Sequence, residues 1–147
     1  MIKKSIMIAS LLVFAIPAMA QSDRGDREGR YQSEDGESLT VELTHKSGNN
    51  YSAAISTTSK MTDKLRGCGG SLKGDVTITG AKATMSIPNE GFIESKKESL
   101  QNSRQCKVNF KFLDQYTLKL EEVSGCSYYH GASCSFNGTV LHEASGI

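Results

Sequence analysis

Leu39-Thr40-Val41-Glu42-Leu43-Thr44 runs through His45 and Lys46 into Ser47-Gly48-Asn49-Asn50 and resumes as Tyr51-Ser52-Ala53-Ala54-Ile55. Apolar side chains at 39, 41 and 43, and again at 51, 53 and 55, recur with a period of two. That is the spacing of a strand with one buried and one wet face. The Ser-Gly-Asn-Asn run between them supplies residues that tolerate the dihedrals of a tight turn, so the stretch predicts a hairpin.

The same rhythm continues outward. Leu72, Val76 and Ile78 read as apolar positions on either side of a Lys73-Gly74-Asp75 turn, and Thr79-Gly80-Ala81 as the next turn. Ala83, Met85 and Ile87 share a face up to Pro88, which cannot donate to a ladder and stops the strand. Val108, Phe110 and Phe112 alternate, Asp114-Gln115 turns, and Tyr116, Leu118 and Leu120 follow; a last strand carries Phe136 and Val140. Between Pro88 and Gln105 the alternation fails, and Ile93 and Leu100 stand seven apart in a polar stretch. One long loop or a short helix is expected near 89–104.

About eight short strands with frequent turns predict an all-β fold: a single small antiparallel meander barrel or a two-sheet sandwich. The expected inward set is Leu39, Val41, Leu43, Tyr51, Ile55, Leu72, Val76, Ile78, Met85, Ile87, Val108, Phe110, Phe112, Leu118, Leu120 and Phe136. The chain has 147 residues and no Trp, so this core is modest, and cross-links would supplement it.

The N-terminus has the pattern of an export signal. Lys3 and Lys4 precede an apolar run from Ile6 to Ile16, and Ala18-Met19-Ala20 offers a small-x-small cleavage site. Residues 1–20 are therefore read as a removed signal peptide, with a mature start at Gln21. Residues 21–30 form a charged leader expected to be disordered, 31–142 the β domain, and 143–147 a flexible tail. A periplasmic or secreted location follows, with no membrane span. Losing Lys3 and Lys4 turns the formal charge of +1 into −1. So small a charge excludes the strong basic excess of a typical nucleic-acid binder.

Cys68, Cys106, Cys126 and Cys134 are even in number, and in an exported chain they predict disulfides. Four cysteines allow three pairings; the favoured one is Cys68–Cys106 with Cys126–Cys134, the second closing a short loop. No cofactor is expected. A metal site is not either, because there is no C-x2-C pair and His130 has no second histidine near it.

No nucleophile elbow, zinc-protease helix motif or phosphate loop occurs, and Gly67-Cys68-Gly69-Gly70 reads as a tight bend beside a disulfide. Glu121 and Glu122 are adjacent and would point to opposite faces of a strand, the wrong arrangement for a glycosidase pair. His45 and His142 read as surface positions. The chain is thus expected to be no enzyme.

The candidate binding element is Cys126-Ser-Tyr-Tyr-His-Gly-Ala-Ser-Cys134, in which Tyr128, Tyr129 and His130 would stand on a disulfide-closed loop. Tyrosines offer a large contact area at low entropic cost, which suits a recognition surface; packing over the end of the barrel is the alternative. A second candidate is a basic patch of Lys60, Lys64, Arg66, Lys96, Lys97 and Arg104, drawn from a middle section, residues 58–111, that is rich in lysine and arginine.

Gly29-Arg30-Tyr31, Cys68-Gly-Gly-Ser-Leu, Cys106-Lys-Val-Asn-Phe and Cys126-Ser-Tyr-Tyr-His-Gly-Ala-Ser-Cys-Ser-Phe-Asn-Gly-Thr together resemble a small bacterial envelope domain of the kind found in lysozyme-inhibitor-like proteins. The resemblance covers residues 29–142. It implies a periplasmic antiparallel β-barrel that inserts a loop into the cleft of a muramidase, and so a protein partner: a lysozyme or another envelope-targeting enzyme. The expected function is a non-enzymatic binding protein acting by steric occlusion through Tyr128, Tyr129 and His130. The alternatives are a lipocalin-like small-ligand carrier using the barrel mouth, and a small hydrolase.

Overall fold

The computed structural model describes residues 27–35, 38–64 and 66–146. The expected signal peptide, its expected cleavage site and most of the expected leader lie outside them. Eight strands follow in chain order: β1 (Gly29–Gln32), β2 (Leu39–Ser47), β3 (Asn50–Ser59), β4 (Cys68–Thr77), β5 (Lys82–Pro88), β6 (Gln105–Phe112), β7 (Thr117–Ser124) and β8 (Gly138–His142). Two short 3-10 turns, Cys126–Tyr128 and Glu143–Ser145, are the helical elements among the described residues. None of these is long and apolar enough to cross a membrane.

All pairings are antiparallel, in the order β4-β3-β2-β1-β8-β7-β6-β5. Because β1 pairs with both β2 and β8, the start and end of the domain meet, and the meander curls into a nearly closed barrel. The seam lies between β4 and β5, which a short turn joins but no ladder does. The hairpin at 39–55 forms as its alternation predicts, with Val41 opposite Ile55 and Leu43 opposite Ala53.

Of the expected inward set all are buried except Ile87, which is partly buried and packs against the core from the seam. Tyr31, Ala53, Ala83, Cys106, Cys126 and Val140 join them. Each large apolar side chain so enclosed contributes about 1.5–3 kcal/mol. Ile87 explains a departure from the sequence reading. Residues 73–75 are not a turn: β4 runs straight through them, and a side chain at Gly74 would collide with the Ile87 tip. The glycine serves close packing across the seam.

Other boundaries also shift. The segment 89–104 is a loop without helix, organised by buried Asn102, whose side-chain oxygen accepts from Ile93 N at 2.8 Å and whose amide donates to the carbonyls of Ile93, Lys96 and Lys97. Arg27 to Arg30 are part of the domain rather than of a disordered leader. Arg27 lies over the Phe112 ring at 4.4 Å, and Tyr31 Oη donates to its carbonyl at 3.1 Å. His45 and His142 belong to strands, both half-buried, with the His142 ring 4.7 Å from that of Tyr31. Glu143 begins a 3-10 turn whose Ala144 amide donates to His142 Nδ1, so the tail is structured through Ser145. Phe136 precedes β8 instead of lying in it.

Candidate functional site

Alternating strand direction sorts the connections by length. Turns at 48–49, 78–81 and 113–116 lie at one end of the barrel, whereas 33–38, 60–67, 89–104 and 125–137 lie at the other. Loops positioned by a rigid scaffold are where binding residues concentrate. Every residue of the two candidate sites falls at this long-loop end.

The cysteines pair as Cys68–Cys134, with Cα atoms 6.1 Å apart, and Cys106–Cys126, with Cα atoms 4.4 Å apart. All four are bridged, but neither expected pair forms. The reason is the path of the segment 125–137. Leaving β7, it is held to β6 by Cys126, crosses the seam, and reaches the start of β4 at Cys134. Its two ends therefore belong to different neighbours, and the loop is clamped at both ends instead of being closed on itself.

Between those clamps the segment fills the gap that β4 and β5 leave open. Gly70 of β4 forms a β-bridge with His130, and Ser71 N donates to Tyr129 O at 3.2 Å. On the far side, Tyr129 Oη donates to the carbonyl of Pro88, the last residue of β5, at 2.5 Å. Desolvation raises the Tyr129 phenol above its ordinary pKa. Gly67-Cys68-Gly69-Gly70 is accordingly no bend. From Cys68 onward it is strand, and Gly70 is needed because a side chain there would strike Tyr129 O, 2.7 Å from the Cβ position.

The three candidate recognition residues part company. The His130 side chain is only 8% exposed: its Nε2 lies 3.0 Å from Glu122 Oε2 and its Nδ1 2.8 Å from Gly131 O, and its ring meets Phe136 edge-on at 5.1 Å. Glu122, 18% exposed, also accepts from Phe136 N at 3.1 Å. Both ring nitrogens of His130 are thus committed to oxygens inside the protein. Tyr129 is half-buried and packs on the core. Tyr128 alone points outward, at 55% exposure.

Tyr128 rests against the backbone of Gly91, in the loop 89–104, where a Cβ would lie 3.0 Å from its Cε2. The adjacent Phe92 carries the Arg104 guanidinium 4.5 Å above its ring, and Arg104 also faces Glu98 at 3.7 Å. Tyr128 thus packs on the loop that also carries the Phe92–Arg104 stack, with exposed Ile93 next to it in the chain. Phe92 had no signal in the alternation, because the register of a loop is not written in period two. The remaining basic candidates lie on two loops at the same end of the barrel. Lys96 and Lys97 are exposed on the Asn102-organised loop, and Lys60, Lys64 and Arg66 on the loop leading to Cys68, across the seam segment. The Asn137 side-chain oxygen accepts from Glu122 N at 2.7 Å.

Phe110, Phe112 and Leu118, which a carrier would need to leave apart, are buried in one core with Tyr31 and Leu120. Among the described residues no cluster of three His, Cys, Asp or Glu side chains is arranged to hold a metal ion. Comparison of the chain with protein-family models, curated proteins and solved structures finds no match.

Proposed function

We propose that this chain is an exported, non-enzymatic binding module that occludes a site on a protein partner with its long-loop end, in the manner of lysozyme-inhibitor-like proteins. The observation that carries the reading is Tyr128: a large exposed aromatic on a segment clamped by Cys106–Cys126 and Cys68–Cys134. An anchor already held in place loses little freedom on binding, so more of its contact energy appears as affinity. Arg104, on the loop against which Tyr128 rests, matches an enzyme cleft that carries acidic groups, and glycosidases commonly use a pair of carboxylates flanking the scissile bond. Tyr129 and His130 support the surface from beneath and are positioning residues in this reading. The inward commitment of both His130 nitrogens favours binding over hydrolysis, since a general base must reach a substrate proton.

The leader-like N-terminus and the two bridges support a periplasmic or secreted setting. The experiment is inhibition of a panel of lysozymes by the mature protein. The expected result is dose-dependent inhibition of at least one enzyme, with pull-down of the same enzyme. The absence of both inhibition and pull-down across the whole panel would overturn the proposal.

A further inference from the structure

The outer face of the barrel carries a feature unrelated to the loop end. Lys82 of β5 stands directly opposite Lys111 of β6, and Lys111 directly opposite Lys119 of β7. All three side chains are exposed, because Ala83, Phe110, Phe112, Leu118 and Leu120 on the alternate positions point inward. Neighbouring strands lie about 4.8 Å apart, so the three ammonium stems form a row crossing about 10 Å of sheet. Like charges placed directly opposite one another destabilise a sheet. Lysine is paired elsewhere on this barrel, as Lys46 is to Asp75 at 2.9 Å, yet among the described residues no salt bridge relieves the row. Lys107 lies on the same face of β6, and Glu121, opposite Asn109, is the one carboxylate on the outer faces of β5 to β7.

We propose that the Lys82–Lys111–Lys119 row is a binding strip for a linear acidic polysaccharide bearing one carboxylate per sugar. The strand spacing is comparable with the length of a sugar ring, and the long lysine stems can reach carboxylates that turn to different sides of such a chain. The surroundings suit sugar hydroxyls: in the next row Thr84 Oγ1 donates to Asn109 Oδ1 at 2.8 Å, Ser86 lies one row further along β5, and Thr139, opposite Lys119, extends the lysine row itself. No aromatic side chain stands on these outward positions of β5 to β7 to stack a base, which disfavours single-stranded nucleic acid.

The test is binding of the mature protein to polygalacturonate, with dextran, a single-stranded oligonucleotide and phosphatidylglycerol vesicles measured beside it. Expected are binding to polygalacturonate and none to dextran, a loss of about tenfold or more between 50 and 200 mM salt, and a similar loss in K82Q/K111Q/K119Q. The triple variant should melt no lower than the parent, because the changes remove repulsion on an exposed face. No binding to polygalacturonate, or binding that the triple variant retains in full, overturns the proposal. Equal or tighter binding to the oligonucleotide or the vesicles overturns it too, since the row would then be a nonspecific cationic strip.

Discussion

Gly70 of β4 and His130 of the seam segment meet in a single β-bridge so close that a side chain at 70 would overlap the His130 Cβ. This contact lets residues 125–137 stand in for the hydrogen-bonded neighbour that β4 lacks. Gly70→Val should therefore cost about 1–3 kcal/mol, the usual range for forcing volume into a packed site. Gly69→Ala is the control, because its Cβ would have Thr57 O no nearer than 4.0 Å. Urea denaturation of both variants checks the difference; equal midpoints would refute the close approach.

The bridges give a second expectation. Non-reducing peptide mapping should recover Cys68–Cys134 and Cys106–Cys126 and no Cys126–Cys134 peptide. With separations of 66 and 20 residues, replacing the pairs by serine should cost about 4 and about 3 kcal/mol in the chain-entropy account.

A third concerns the partly buried pair His130 and Glu122. His130→Ala removes one hydrogen-bonding partner of the carboxylate and opens space against Phe136. A loss of about 1–3 kcal/mol is expected, read as a lower denaturation midpoint. Stability equal to the parent would show that the pair holds nothing.

Alkaline pH offers a fourth. Tyr31 is fully buried, and desolvation raises its phenol to about 12 from 10.0. The unfolded chain then releases this proton first, so the contribution is intact below pH 10 and is lost as pH rises towards 12. Tyr31→Phe should flatten that part of the stability profile between pH 10 and 12, where the parent declines more steeply. Identical profiles would contradict the assignment.

The alternation at 39–55 and 108–120 made the strands and nearly the whole core legible, because period two reports directly which face is buried. Ile87 and Gly74 show where that stops. A glycine between polar neighbours looks like a turn until the side chain packed on it from another strand is known. The pairing of Cys68 with Cys134 was hidden for the same reason: sequence separation says nothing about which ends meet across a seam. Tyr128, Tyr129 and His130 were found as a group by their composition, but their separation into one exposed and two inward side chains depends on the path of the backbone. The Lys82–Lys111–Lys119 row exists only in the register of three strands, and the lysines are 29 and 8 residues apart in the chain.

The central claim is that Tyr128 is the outward anchor of a binding surface and not a packing residue. Inhibition curves for the parent and Tyr128→Ala, against whichever lysozyme of the panel responds, test it most directly, with melting temperatures measured in parallel. The expected result is a loss of inhibition of about tenfold or more with melting unchanged, as for an aromatic hot spot of 1.4 kcal/mol or above. Undiminished inhibition by Tyr128→Ala, or a loss matched by a fall in melting temperature, would contradict it.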